Sequence, residues 1–124
     1  MISFDDFKKI EVRAGKVLSA EKIPDTDKLL KLMVDFAESV EVVKEDGTKE
    51  VTPKPRQIVS GISAYFPDPA TLVGKTCMFV TNLEPRTIRG FESNGMLFAV
   101  STPDGSGFSI LEPNSSIPPG TLAK

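Results

Sequence analysis

Two arginines three residues apart, Arg86 and Arg89, follow a proline in the run NLEPRTIRGFESNGMLFAV, Asn82–Val100. Asn82 stands ahead of them, where one apolar stretch ends. Ser93, Asn94 and Gly95 stand behind them, where Met96 opens another. Cations, amides and a hydroxyl gathered at a junction between two apolar strands serve no purpose in a core. They suit a surface that grips a phosphate backbone or supports an unstacked base. Arginine fits a phosphate through its planar fork, although an isolated turn arginine is ordinarily just solvated. Asn82 and Ser93 weigh equally as turn-stabilising residues and as ligand contacts. Met96 reads first as core.

Four further positions carry usable groups. Lys31 alternates with apolar neighbours and so faces away from the core, and Lys28 lies just before it. The plain reading of both is surface lysine. Arg56 opens an apolar run, with a salt bridge to a nearby acid as its plain alternative. Ser60 precedes Gly61, and small residues there let a ligand or a backbone come close.

These groups must be positioned by strands. Ile10, Val12 and Ala14 alternate with Glu11 and Arg13, giving a half-buried strand that Gly15 interrupts with an expected bulge or bend. Leu30, Leu32, Val34 and Phe36 alternate with Lys31, Met33 and Asp35, the clearest period of two in the chain. Asp46-Gly47 between two short β-branched runs predicts a hairpin over 39–55, acidic and added to the domain rather than central to it. Arg56–Ile62 reads as a third strand. Pro67–Gly74 reads as a short helical turn. Strands over Lys75–Leu83, Met96–Ser101 and Phe108–Glu112 follow, and residues 113–124 form an extended tail. The expectation is an all-β single domain over residues 1–124. It is a five-stranded Greek-key barrel of the OB type, with a short helix between strands 3 and 4 and a β-hairpin insertion. A small β-sandwich is the alternative.

Composition narrows the chemistry. The 124 residues include one Cys and no His, which removes zinc sites and His-dependent nucleophilic triads. No metal and no cofactor are expected, and no paired acids stand out, so the chain reads as non-catalytic. No apolar run approaches the roughly 20 residues that span a bilayer. The first residues lack the basic start and apolar run of a signal peptide. A cytoplasmic protein without membrane contact is expected, with Cys77 a buried thiol in an apolar strand. The net charge is −2. Residues 35–50 hold six acids and two lysines, and the remainder carries 13 bases and 11 acids. A modest basic patch is compatible with this balance; a strongly basic surface is not.

Five stretches together carry a resemblance. They are FKKIEVRAGKVLSAEKIPDTDKLLKLMVDFAE (Phe7–Glu38), RQIVSGI (Arg56–Ile62), YFPDPATLVGK (Tyr65–Lys75), NLEPRTIRGFESNGMLFA (Asn82–Ala99) and PPG (Pro118–Gly120). In this order they resemble the tRNA-binding domain found at the C-terminus of many bacterial methionyl-tRNA synthetases and in free-standing tRNA-binding proteins. The resemblance implies an OB fold, a homodimer, and tRNA held through shape and backbone. Aminoacylation would belong to a separate or covalently linked catalytic region. It also implies bases at Arg86 and Arg89, and favours phosphate contact there. It puts Met96 at the binding face and Arg56 in a family motif. The hairpin over 39–55 departs from the pattern, which usually has a short turn there. The candidate tRNA-binding residues are then Lys28, Lys31, Arg56, Ser60, Asn82, Arg86, Arg89, Ser93 and Met96.

Sparse aromatic residues disfavour a binder of long single strands and favour folded RNA. Two other readings stay open. One is an export-chaperone-like, peptide-binding homodimer of the same fold, working through an apolar groove. The other is a dimerisation module serving a larger enzyme.

Overall fold

A computed structural model describes all residues, 1–124. Five strands make the main antiparallel sheet: β1 (Val12–Lys22), β2 (Leu30–Asp35), β5 (Arg56–Ser60), β6 (Thr76–Val80) and β9 (Met96–Leu97). Their order across the sheet is β5-β2-β1-β6-β9. The sheet curls until its ends nearly meet. There the Asn94 N–H donates to the Gln57 carbonyl at 2.8 Å, and the Val59 N–H donates to Ser93 Oγ at 3.0 Å. The result is the expected all-β, OB-like barrel. Between β5 and β6 lie two 3-10 turns, Ser63–Tyr65 and Pro69–Leu72. In the second, Asp68 caps the start and Pro69 occupies the first turn.

The long first strand serves both halves of the barrel. Val12–Lys16 pairs with β6, and Lys16–Lys22 pairs with β2. The register shift between them falls between Val17 and Ser19, not at Gly15 as expected. Gly15 has a different job. A Cβ there would stand 2.5 Å from Phe36 Cε1 and 2.6 Å from Val34 Cγ1, so the strand can cross its neighbours only without a side chain. Where β2 ends, the tail takes its place beside β1. The Ala14 N–H donates to the Thr121 carbonyl at 2.9 Å, and the Ala123 N–H donates to the Val12 carbonyl at 2.8 Å.

The interior follows the period-two pattern of β2: Leu30, Leu32 and Val34 are buried and the residues between them are not. They pack with Val17, Phe36, Ile58, Ile62, Leu72, Cys77, Phe79 and Leu97. Phe36 and Phe79 meet edge to face at 5.4 Å. Cys77 is buried as expected, and that burial pushes its thiol up to about 11. It is therefore an inert core group.

Three small two-stranded sheets accompany the barrel. β3 (Ser39–Val43) and β4 (Lys49–Pro53) form the acidic hairpin at its expected place. β7 (Arg86–Ile88) and β8 (Phe91–Ser93) form a second hairpin where only a turn was expected. β10 (Ala99–Ser101) pairs with β11 (Phe108–Ile110), so the expected strand Met96–Ser101 is divided at Phe98. A short helix, α1 (Phe4–Phe7), precedes the barrel and was not expected; Ser3 Oγ caps it by accepting the Asp6 N–H at 3.1 Å. No helix is long and apolar enough to cross a membrane.

Candidate nucleic-acid interface

The hairpin β7–β8 presents the two arginines. Its tip is Arg89-Gly90, with φ of 52° and 84°. Positive φ at both central residues is what a tight hairpin of this twist requires. Glycine meets that cheaply at Gly90. An arginine in the left-handed region costs roughly 1–2 kcal/mol. Arg86 and Arg89 are both exposed, and neither has an acidic partner within salt-bridge distance.

β8 lies along β5, tied by the Val59 and Gln57 bonds into Ser93 and Glu92. β5 pairs in turn with β2, Lys31 opposite Val59 and Leu30 opposite Ser60. Lys31 is thereby brought beside the arginine hairpin, whereas Ser60, opposite the buried Leu30, turns toward the inner face of the sheet. Lys31 Nζ lies 5.3 Å from the centre of the Phe91 ring and 3.7 Å from Glu21. Lys28 is exposed in the turn ahead of β2, free of any acid, and its carbonyl accepts the Ser63 N–H at 3.0 Å. Met96 is 46% exposed on β9 and so is not the core residue its composition suggested.

Three of the sequence-picked residues are occupied by the fold itself. Arg56 makes a two-pronged pair with Glu38, Nε to Oε1 and Nη2 to Oε2, both at 2.7 Å. Its Nη1 donates to the Thr81 carbonyl at 2.6 Å and to the Asn94 carbonyl at 3.4 Å. Its guanidinium sits 5.3 Å over the Phe36 ring. The salt-bridge alternative is therefore the observed one. Arg56 knots the hairpin's neck, the end of β6 and the β8–β9 turn together. The bonds from Arg56 hold the Glu38 carboxyl below its ordinary range, against the opposing effect of burial.

Ser93 is only 4% exposed, and its Oγ accepts the Val59 N–H and donates to the Gly95 carbonyl. Asn82 uses both ends of its amide. Oδ1 accepts the Glu11 N–H at 2.8 Å, and Nδ2 donates to the Lys9 carbonyl at 2.7 Å. Its work is to hold the chain between α1 and β1 against the end of β6.

Sequence reasoning missed a groove below this hairpin. Its volume is about 700 Å³, and Gln57, Leu83, Glu92 and Asn94 are among the residues that line it. Asn94 lay inside the motif already singled out, but nothing in the spacing separates its side chain from that of Ser93. Only the barrel closure does. A second, more apolar groove of about 460 Å³ lies between α1 and the tail, lined by Phe4, Phe7, Ile10 and Leu122.

The family described as "Putative tRNA binding domain" matches residues 12–122. The chain is 45% identical over 121 residues to a methionine–tRNA ligase of Methanoregula boonei. The match covers 98% of this chain and 15% of the ligase. The chain thus spans about a sixth of the length of such relatives, whose catalytic part lies elsewhere. Among solved structures, a MetRS related protein from Pyrococcus horikoshii superimposes with a TM-score of 0.81 at 35% identity. That match covers 100% of this chain and 98% of the other. A CsaA chaperone from Bacillus anthracis reaches 0.74 at 27% identity, covering 100% and 99%. With a non-catalytic binding domain matched nearly end to end, the chain belongs to the tRNA-binding domain family.

Proposed function

We propose that this chain holds tRNA by its phosphate backbone and shape, on the flank formed by β2, β5 and the β7–β8 hairpin. In this reading it pairs with a second copy of itself and serves a methionyl-tRNA synthetase catalytic region, linked or separate. Tethering of this kind raises the local concentration of tRNA at the catalytic site and leaves amino-acid specificity there. One observation carries the reading: Arg86 and Arg89 project from a hairpin with no acid to neutralise them. Arg89 also keeps a large cation at a backbone position where glycine would be cheaper. Strain at an exposed cationic tip supports a functional role there. Lys31 lies beside the hairpin over Phe91, and Lys28, Ser60 and Met96 are the further contacts this reading assigns. Arg56 and Ser93 support the flank from within, and Asn82 secures the chain at the end of β6.

The test is binding of total tRNA at two salt concentrations, by the wild type and by Arg86→Ala/Arg89→Ala. Few cations reach few phosphates, so the wild type should lose affinity with a log–log slope of about 3 or less. The double variant should bind at least about tenfold more weakly, with a slope lower by about two and its sedimentation unchanged. A flat salt response in the wild type, or full affinity in the variant, overturns the reading.

The apolar groove between α1 and the tail favours a second reading, a peptide-binding dimer like the chaperone it superimposes on. That reading expects peptide binding untouched by the arginine substitutions.

A further inference from the structure

We propose that the groove beneath the β7–β8 hairpin receives one unpaired nucleobase bearing an exocyclic amine. This rests on the RNA-binding reading and adds base recognition to it. At about 700 Å³ the groove lies within the range of ordinary small-molecule sites. Met33, Leu83 and Pro85 supply its apolar surfaces. Leu83 is 48% exposed, directly after the end of the β6 arm that Asn82 pins. An exposed leucine fixed beside a polar groove offers a face for a flat ring.

Several polar groups of the groove are free to meet a base edge. Asn94 is held through its main chain on both sides. Its N–H donates to the Gln57 carbonyl at 2.8 Å, and its carbonyl accepts from Arg56. Its side-chain amide makes no hydrogen bond, so a fixed backbone presents a free donor–acceptor pair. Gln57 spends Nε2 on the Glu92 carbonyl at 2.9 Å and keeps Oε1 as a free acceptor. The Glu92 carboxylate has no ion pair and no hydrogen bond. Glu38, which also lines the groove, is compensated by Arg56.

Lys54 lines the groove as well and has no ion pair, so the lining holds two cations and two carboxylates, and its free acceptors are the amide oxygens of Gln57 and Asn94 and the Glu92 carboxylate. These acceptors suit the amino group of adenine, cytosine or guanine, in the way amides and carboxylates read such groups elsewhere. Uracil has no amine to give. Pro85 lines the groove and Arg86 follows it immediately, so a backbone gripped by Arg86 delivers its own base to this place.

The test uses the full chain and four RNA hairpins of one stem sequence: unbulged, or with a single bulged A, C or U. Affinities are measured by fluorescence anisotropy. Bulged A and C should bind about fivefold or more tighter than bulged U and the unbulged stem, the scale of one or two net hydrogen bonds. Asn94→Ala and Glu92→Gln should each bring that ratio toward one. Equal binding of all four RNAs by the wild type overturns the proposal, whatever the variants do. So does a ratio that survives both substitutions. If Arg86→Ala/Arg89→Ala weakens all four equally while the ratio is absent, the groove proposal alone has failed. If the wild type binds total tRNA but none of the four, the groove proposal alone has failed; if it binds neither, the RNA-binding reading has failed with it.

Discussion

Arg56 joins parts of the chain that its place in the sequence keeps apart. Its side chain is 24% exposed and that of Glu38 is 39% exposed, so solvent weakens the pair but does not dissolve it. Arg56→Gln would strand a half-buried carboxylate and leave the Thr81 and Asn94 carbonyls without their donor. The expected loss is about 2 kcal/mol at neutral pH, read from a urea midpoint. The same pair sets an acid limb. Glu38 titrates lower in the folded chain than in the unfolded one, so its contribution is full above the ordinary glutamate value. It is lost as pH falls through the lowered one. The gap between wild type and Arg56→Gln should therefore shrink between about pH 7 and about pH 3. A gap of equal size at both would remove the pair as its source. The sequence left a salt bridge open for Arg56 but did not name its partner. Arg56 opens a strand motif, and its partner lies across an 18-residue separation on the far side of a hairpin. The exposure of Arg86 and Arg89 was legible, because charged side chains in a turn beside a strand end stay in solvent.

Elements were readable where local chemistry acts alone. Asp46-Gly47 announced β3–β4, because a turn of that kind is written in adjacent residues. The β7–β8 hairpin went unread because its tip is Arg89-Gly90, and an arginine at positive φ is not a turn signal. Helix α1 offered only Ser3 and Asp6, too short a cue without an apolar period. The misplaced bend in β1 has a different cause. Gly15 is there for what crosses it, a fact of tertiary contact that no run of neighbours expresses. Gly15→Ala should cost about 1–3 kcal/mol or more, since Phe36 and Val34 lie in a packed interior and cannot both retreat. Gly61→Ala is the comparison, with nothing within 4 Å of its added methyl and an expected change within about 0.5 kcal/mol. Equal losses by thermal denaturation would show that Gly15 serves flexibility and not clearance.

At the scale of the molecule, exposed apolar side chains gather where the two chain ends meet. Phe4, Phe7, Ile10 and Leu122 lie together around one groove, and Met1 and Ile2 extend the exposed set. A contiguous exposed apolar cluster often marks a contact surface, and a second copy of the chain fits the proposed pairing. Sedimentation should find a dimer for the wild type and a monomer for Phe7→Asp. An unaltered dimer would move the pairing surface elsewhere, and a monomeric wild type would end the proposal of a pair. Phe7 takes no part in the core cluster, so the substitution should leave the melting of the monomer's barrel intact.

The long excursion between β2 and β5 begins and ends on adjacent strands, Val34 lying opposite Arg56. Topologically it is no more than a loop, whatever its length. Its root is clamped, by the Arg56–Glu38 pair and by the Lys54 N–H to the Glu38 carbonyl at 2.9 Å. The tip around Gly47 has open space about it. The molecule thereby carries a built-in grafting port: a dye, an affinity peptide or another module spliced at Gly47 would ride outside the wall while strand order stays as it is.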